Sequence, residues 1–337
     1  VERMPGVSGF IPLPVEHGRL GLGVRWRIAR SLRERGYERA VITKRSFKAA
    51  LIPWMARVPL RTGVLGEARH GLVNDVRSVG GLRHPLWVQR IAALGQDPGE
   101  EPLTPEAVPR PRLRARSERV PALLRRLGLD ALRKGEDAPV ALAPGAAYGP
   151  SKRWPSQRWL RLARTLADRG ERVWIFGGAD EAGLGRRIGE ADDGDCRIRD
   201  LTGRTDLGEA IDLLGRCSVV VTHDSGLMHV AAALGRRVVA LYGSSDPGYT
   251  PPLTGRRAVL WKALACSPCF EEACPLGHHA CMKGIPVRAV VDALDRGDGL
   301  GARDGGGPDR ARHGEGRSRD PTPHASARAR AHGGGGD

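Results

Sequence analysis

The sequence predicts an α/β protein made of two doubly wound parallel sheets, and three observations predict it. Short β-branched and apolar runs recur at 37–43, 58–63, 140–146, 172–178, 218–222 and 237–243. Segments with apolar residues at helical spacing lie between them, the pattern of βα units whose strands are buried on both faces. The 337 residues are too many for one average domain and enough to bury two cores.

The opening, 1–22, carries Pro5, Pro12 and Pro14 among short apolar residues and reads as a loop and an edge strand. A helix is expected over 24–35 with Gly36 as its stop, then a strand over 37–43. Ser46 is placed to cap a helix through Met55, and 58–63 is a second short strand. Residues 97–116 are rich in Pro, Glu and Arg without periodicity and read as surface loop and linker. A helix at 120–127 is expected to close the first half.

The second half opens with the strand at 140–146. A helix over 156–169 follows, with Trp159, Leu160, Ala163, Leu166 and Ala167 on one face and Gly170 at its end. The strand at 172–178 ends in a glycine turn, and 205–214 is helical. The strand at 218–222 leads into the helix of the central motif, and 237–243 is the strand after it. A last helix covers 288–294. The expected organisation is 1–137, 138–296 and a tail, 297–337. The tail is Gly, Arg, Asp, Ala and Pro with almost no bulky apolar residue and is expected to be disordered.

The net charge of +16 favours acidic partners such as phosphorylated glycans, anionic headgroups or nucleic acid. Aromatics make up only 4% of the chain and are not interleaved with basic residues, which argues against RNA recognition. No run approaches the ~20 apolar residues of a membrane-spanning helix, and no signal peptide is visible.

Three stretches carry candidate chemistry. In Thr222-His-Asp-Ser-Gly-Leu-Met-His229 a strand turns into a helix over Asp224, Ser225 and Gly226. Such a turn aims free backbone N–H groups and the positive end of a helix dipole at a diphosphate beyond the strand. His229 lies one helical turn after Ser225 and could join a polar ligand, or be an ordinary core histidine. Pro144-Gly-Ala-Ala-Tyr-Gly-Pro-Ser-Lys-Arg-Trp-Pro155 follows a strand and precedes a helix; its glycines admit a ligand and Lys152 can balance phosphate charge. The thiols of Cys266, Cys269, Cys274 and Cys281, with His278 and His279 between them, are dense enough to suggest a structural zinc. Their spacing is not a standard pair of CxxC motifs, which weakens the metal reading, and an iron–sulfur site is the lesser metal alternative.

Taken together, PGAAYGPSKRWP, FGGADE, THDSGLMHVAAAL, ALYGSSDP and YTPPL resemble the ADP-heptose:lipopolysaccharide heptosyltransferases, glycosyltransferase family 9. RMPGV, SLRERGYERA, SFKAALIP, RTG and GLVNDVR extend the resemblance over about 1–295, nearer to the branch that adds the second heptose. The resemblance implies a GT-B enzyme, two Rossmann-like domains facing a cleft. Such an enzyme transfers L-glycero-D-manno-heptose, with inversion, from ADP-heptose to heptosyl-Kdo2-lipid A. The resemblance further implies no required cofactor and no nucleic-acid partner, with cytoplasmic location and peripheral contact at the inner membrane. Since some members carry similar Cys-Pro-Cys segments, a metal-free surface loop is the other reading of the cysteine cluster. By motif, Lys152 should meet the donor phosphates and Glu181 the nucleoside side. Asp224, Ser225, Gly226, Leu227 and His229 should hold diphosphate and heptose.

Family members begin with a strand and a glycine-containing loop whose aspartate resembles the general base, a unit on the order of 40 residues with no counterpart here. Asp75 is not at that place, so the catalytic base stays unassigned and the chain is expected to bind donor with little turnover. A non-catalytic nucleotide-sugar-binding chain, a first-heptose or other family 9 transferase, and a basic nucleic-acid binder are the alternatives.

Overall fold

The computed structural model describes residues 2–16, 18–80, 83–129, 138–192 and 194–297. The expected disordered tail, beyond Gly297, lies outside the described residues. Helix α1, Leu22–Glu34, leads into β1, Arg39–Ile42, and α2, Phe47–Met55. Ser46 occupies the N-cap of α2, but its side chain makes no cap bond; the Glu67 carboxylate accepts the Phe47 N–H instead, at 3.0 Å. Strands β2, Leu60–Gly63, and β3, Asp75–Val76, complete a parallel three-stranded sheet in the order β1-β2-β3. The edge strand expected in 1–22 is not formed among the described residues. That stretch instead runs along the surface, with Phe10 and Leu22 more than half exposed.

Helix α3, Trp87–Ala92, was not foreseen. Helix α4, Val120–Leu127, forms where expected but does not close the first half. Its Leu123 and Leu127 pack with Leu213, Leu214 and Phe176 in the core of the second sheet. The spacing of Val120, Leu123 and Leu127 fixes the buried face of a helix without saying which core receives it.

The second sheet holds six parallel strands in the order β6-β5-β4-β7-β8-β9. These are β4, Val140–Ala143, β5, Val173–Ile175, β6, Ile198–Asp200, β7, Val219–His223, β8, Arg237–Tyr242, and β9, Arg257–Trp261. Strands β6 and β9 were not expected; β6 is only Ile-Arg-Asp, whereas the Ala258–Trp261 run of β9 was overlooked. The crossover helices are α5, Ser156–Asp168, α6, Ala182–Gly189, α7, Leu207–Leu214, and α8, Gly226–Ala233. Helices α9, Ala280–Lys283, and α10, Val287–Asp295, close the fold.

Alternate residues of each strand enter opposite layers, as the two-residue pleat requires. Val140 and Leu142 of β4, Val219 and Val221 of β7 and Val239 and Leu241 of β8 pack with Trp159, Leu162, Leu166 and Val290 from α5 and α10. Ala141, Val220, Val238 and Ala240 face the other way, onto Leu213, Met228 and Ala231 from α7 and α8. Both sheets lie in one compact unit. The Arg3 guanidinium reaches from the amino-terminal arm to the buried Asp212 carboxylate on α7, with one contact at 2.9 Å. Asp212 also accepts the Arg116 N–H at 2.6 Å.

Candidate functional site

The order β6-β5-β4-β7-β8-β9 reverses direction between β4 and β7, so the crevice beyond their carboxyl ends is the place where such a sheet binds ligands. Three of the predicted stretches converge there. The loop after β4 carries Lys152, the turn after β5 carries Glu181, and the turn after β7 carries Asp224 and Ser225.

Lys152 Nζ donates to Asp224 Oδ2 at 2.6 Å, with both side chains largely buried. The ammonium also stands 4.9 Å from the centre of the Tyr148 ring, a cation–π contact. Thr250 Oγ1 points at the other Asp224 oxygen from 3.5 Å. Glu181 accepts the Gly178 N–H at 2.7 Å and lies against Gly145, where a Cβ would come within 3.0 Å of its carboxyl group. The glycine at 145 is therefore what lets the two loops touch.

Ser225 is the N-cap of α8, and its Oγ lies 3.1 Å from Thr222 Oγ1 rather than on a first-turn amide. Gly226 has open space where a Cβ would stand, so the start of α8 presents backbone to the crevice without a covering side chain. A helix start of this kind attracts anions. Leu227 is half-buried and packs against the core beside the turn. The His229 ring is exposed; loss of hydration among its neighbours holds it below the usual imidazole range, partly offset by Asp224.

The loop bearing Lys152 is clasped from outside by 270–272. Tyr148 Oη donates to the Phe270 carbonyl at 2.6 Å, Ser151 Oγ to that of Glu271 at 2.5 Å, and Ser151 N–H to that of Glu272 at 3.1 Å. A Cβ on Gly149 would lie 2.4 Å from the Glu272 carbonyl oxygen, so this clasp requires glycine. From within, His223 holds both ends of the loop: its Nε2 accepts the Trp154 N–H at 2.8 Å, and its Nδ1 faces the Gly145 carbonyl at 3.4 Å. The sequence pointed to His229 as a possible core histidine, whereas the fully buried one is His223. Its position as the last residue of a buried strand was the available signal.

The four cysteines proposed as ligands behave otherwise. Cys281 is buried, Cys266, Cys269 and Cys274 are partly exposed, and all are free thiols. Among the described residues no three His, Cys, Asp or Glu side chains are grouped to hold a metal. Backbone N–H groups, that of His279 foremost, hold the Cys274 thiol below its ordinary range, while burial pushes that of Cys217 up. In the first sheet Asp75 accepts both arms of Arg77, at 2.8 and 2.9 Å, and the Thr62 hydroxyl at 2.8 Å. The Arg77 bond foremost holds its carboxyl below the usual range, so Asp75 is an ion-pair member with its oxygens engaged.

The glycosyltransferase family 9 (heptosyltransferase) profile matches residues 25–280. The chain belongs to this family. It is 37% identical over 300 residues to lipopolysaccharide heptosyltransferase 2 of Escherichia coli, covering 88% of this chain and 85% of that protein. The Salmonella typhimurium enzyme of the same description is 38% identical over 296 residues, covering 87% of this chain and 85% of that protein. The structure of E. coli ADP-heptose LPS heptosyltransferase II superposes with a TM-score of 0.74 at 36% identity, over 88% of this chain and 84% of that one. A family 9 glycosyltransferase from Veillonella parvula shares the fold, with a TM-score of 0.69 at 20% identity over 83% of this chain and 79% of that one. The two-sheet α/β architecture expected of a GT-B heptosyltransferase is thus the one found.

Proposed function

We propose that this glycosyltransferase moves heptose from ADP-heptose to the heptose already present on the lipopolysaccharide inner core, as a heptosyltransferase 2. The observation that carries the reading is the convergence of Lys152, Asp224 and the open start of α8 at the β4/β7 switch point, in a chain that matches heptosyltransferase 2 relatives over most of their length. Glu181, one loop away, suits the nucleoside end of the donor.

In this reading the acceptor hydroxyl attacks the anomeric carbon from the face opposite the diphosphate. Its proton passes to a base, the carbon–oxygen bond to the diphosphate breaks, and ADP leaves with inverted stereochemistry at the sugar. Charge develops on the departing phosphate oxygens. Lys152 and the α8 amino terminus supply fixed positive charge there, which stabilises that charge more in the transition state than in the bound donor. At rest Asp224 neutralises Lys152; when donor binds, the carboxylate is placed to take sugar hydroxyls while the ammonium turns to phosphate. No cofactor is needed for these roles.

The acceptor is an anionic glycolipid, and we infer peripheral contact with the cytoplasmic face of the inner membrane. The charge of +16 and the outward side of α1, where Trp26 is 54% exposed beside Arg27 and Arg30, support that contact. No helix among the described residues is long and apolar enough to cross a membrane.

Calorimetric titration with ADP-heptose, with GDP-mannose as control, tests the donor site, and transfer to heptosyl-Kdo2-lipid A tests the reaction. Selective binding of ADP-heptose that Asp224→Ala weakens is expected; equal affinity for both nucleotides would overturn the assignment.

A further inference from the structure

The donor reading leaves the buried side chain of His223 without a role. His223 ends β7, is fully buried and directly precedes Asp224. The Trp154 N–H needs an acceptor at Nε2, so that nitrogen carries no hydrogen and the ring proton sits on Nδ1, facing the Gly145 carbonyl. Burial lowers the pKa to about 4, which keeps the ring neutral near pH 7 and this tautomer available.

The ring is also held in orientation. Trp159 meets it edge-on, with centroids 5.3 Å apart and planes at 84°, and Trp154 meets Trp159 at 5.1 Å and 89°. Trp154 is fixed at its far end by its indole N–H, which donates to the Ile285 carbonyl at 2.9 Å. Two consecutive residues of one strand end thus act on one loop: His223 on the backbone at both of its ends, Asp224 on the Lys152 head group.

An apolar residue of similar volume would fill the core but leave the buried Trp154 N–H without a partner. The loop would then lose its tie two residues from Lys152, and the long lysine side chain would have to find the crevice from an unfixed base.

We propose that His223 is a positioning residue for Lys152, pinning the loop from Gly145 to Trp154 so that the ammonium is presented to the donor diphosphate. The inference rests on the donor reading of the preceding section. A purely structural histidine would alter stability alone. A positioning histidine alters nucleotide affinity, and does so through Lys152.

The test is calorimetric titration of the full chain with ADP, using Lys152→Met, His223→Leu, the two combined, and His223→Gln. Lys152→Met and His223→Leu are each expected to weaken ADP by about tenfold, the size of one hydrogen bond to a charged group. The combined variant should be no weaker than Lys152→Met alone, because the second change acts through a group already gone. His223→Gln, which can offer an acceptor to Trp154 and a donor to Gly145, should bind within about twofold of the parent. Unchanged affinity in His223→Leu, or losses that multiply in the combined variant, would overturn the positioning role while leaving the donor site standing. Unchanged affinity in Lys152→Met would overturn the donor reading itself. If His223→Leu does not fold, the ring ¹⁵N resonances of the parent decide. A proton on Nδ1 with a bare Nε2, in free and ADP-bound protein, supports the pin; a proton on Nε2 overturns it.

Discussion

Lys152 and Asp224 belong to the loops after β4 and β7, the two strands flanking the switch point, and their ion pair closes at 2.6 Å. The pair joins the crevice from its two sides, and in the proposed donor reading an arriving diphosphate would compete with Asp224 for the same ammonium. Asp224→Ala therefore has two opposed effects, releasing a cation for phosphate and removing an acceptor for sugar hydroxyls. The expected outcome is a loss of ADP-heptose affinity several-fold larger than the loss of ADP affinity, on the order of 1 kcal/mol for one sugar hydrogen bond. Parallel titrations with the two ligands check it; equal losses would place the carboxylate away from the sugar.

His229 is depressed by lost hydration and is neutral at pH 7. A bound diphosphate nearby favours the charged ring, so its pKa should rise on binding and protons should be taken up. ADP affinity is expected to increase as pH falls from 7.5 toward 6, and His229→Gln should flatten that dependence. Titrations in buffers of different ionisation enthalpy measure the uptake directly. Proton release on binding would remove His229 from the site.

His223 has a folded pKa of about 4 and an unfolded one near 6.5. Above pH 6.5 both states hold a neutral ring, and the group contributes no pH dependence. Between these values the unfolded chain binds the proton first, so stability falls as pH drops through this window. The loss approaches about 3 kcal/mol by pH 4. Urea unfolding of the parent and His223→Gln at pH 7 and pH 5 should show a smaller pH-dependent loss in the variant. Identical losses would mean that the ring is already charged or solvated in the folded state.

Asp212 is 1% exposed and receives the Arg3 guanidinium and the Arg116 N–H. Asp212→Ala leaves a nearly buried guanidinium without its partner, and destabilisation of about 3–5 kcal/mol is expected. Adding Arg3→Met removes that stranded charge and should restore part of the loss. Denaturant unfolding of the single and double variants provides the cycle. Strict additivity would show that the two side chains are not coupled in solution.

The second sheet was legible because its strands β4, β5, β7 and β8 are continuous apolar runs, the mark of strands covered on both faces. Strands β6 and β9 are edge strands; β6, Ile-Arg-Asp, is too short and charged to give such a run, whereas the Ala258–Trp261 run of β9 was there to be read. The convergence of Lys152, Glu181, Asp224 and Ser225 followed from motif and topology together, since each lies just past a strand's carboxyl end. The role of 270–272 was not legible. It consists of backbone carbonyls, far along the chain, that accept hydrogen bonds from Tyr148 and Ser151, and backbone acceptors leave no mark on residue type.

The cysteines have a different use. Cys274 lies partly exposed with its thiolate favoured by surrounding amides, whereas Cys217 is sealed in the second core with ionisation suppressed. Because thiolates are what alkylate, the two should react at widely separated rates. A timed pulse of alkylating reagent, read by peptide mapping, would label Cys274 and the exposed Cys196 in the native molecule but Cys217 only when the second sheet opens. The chain thereby carries its own clock for local breathing and for global opening, readable by mass without introducing a label.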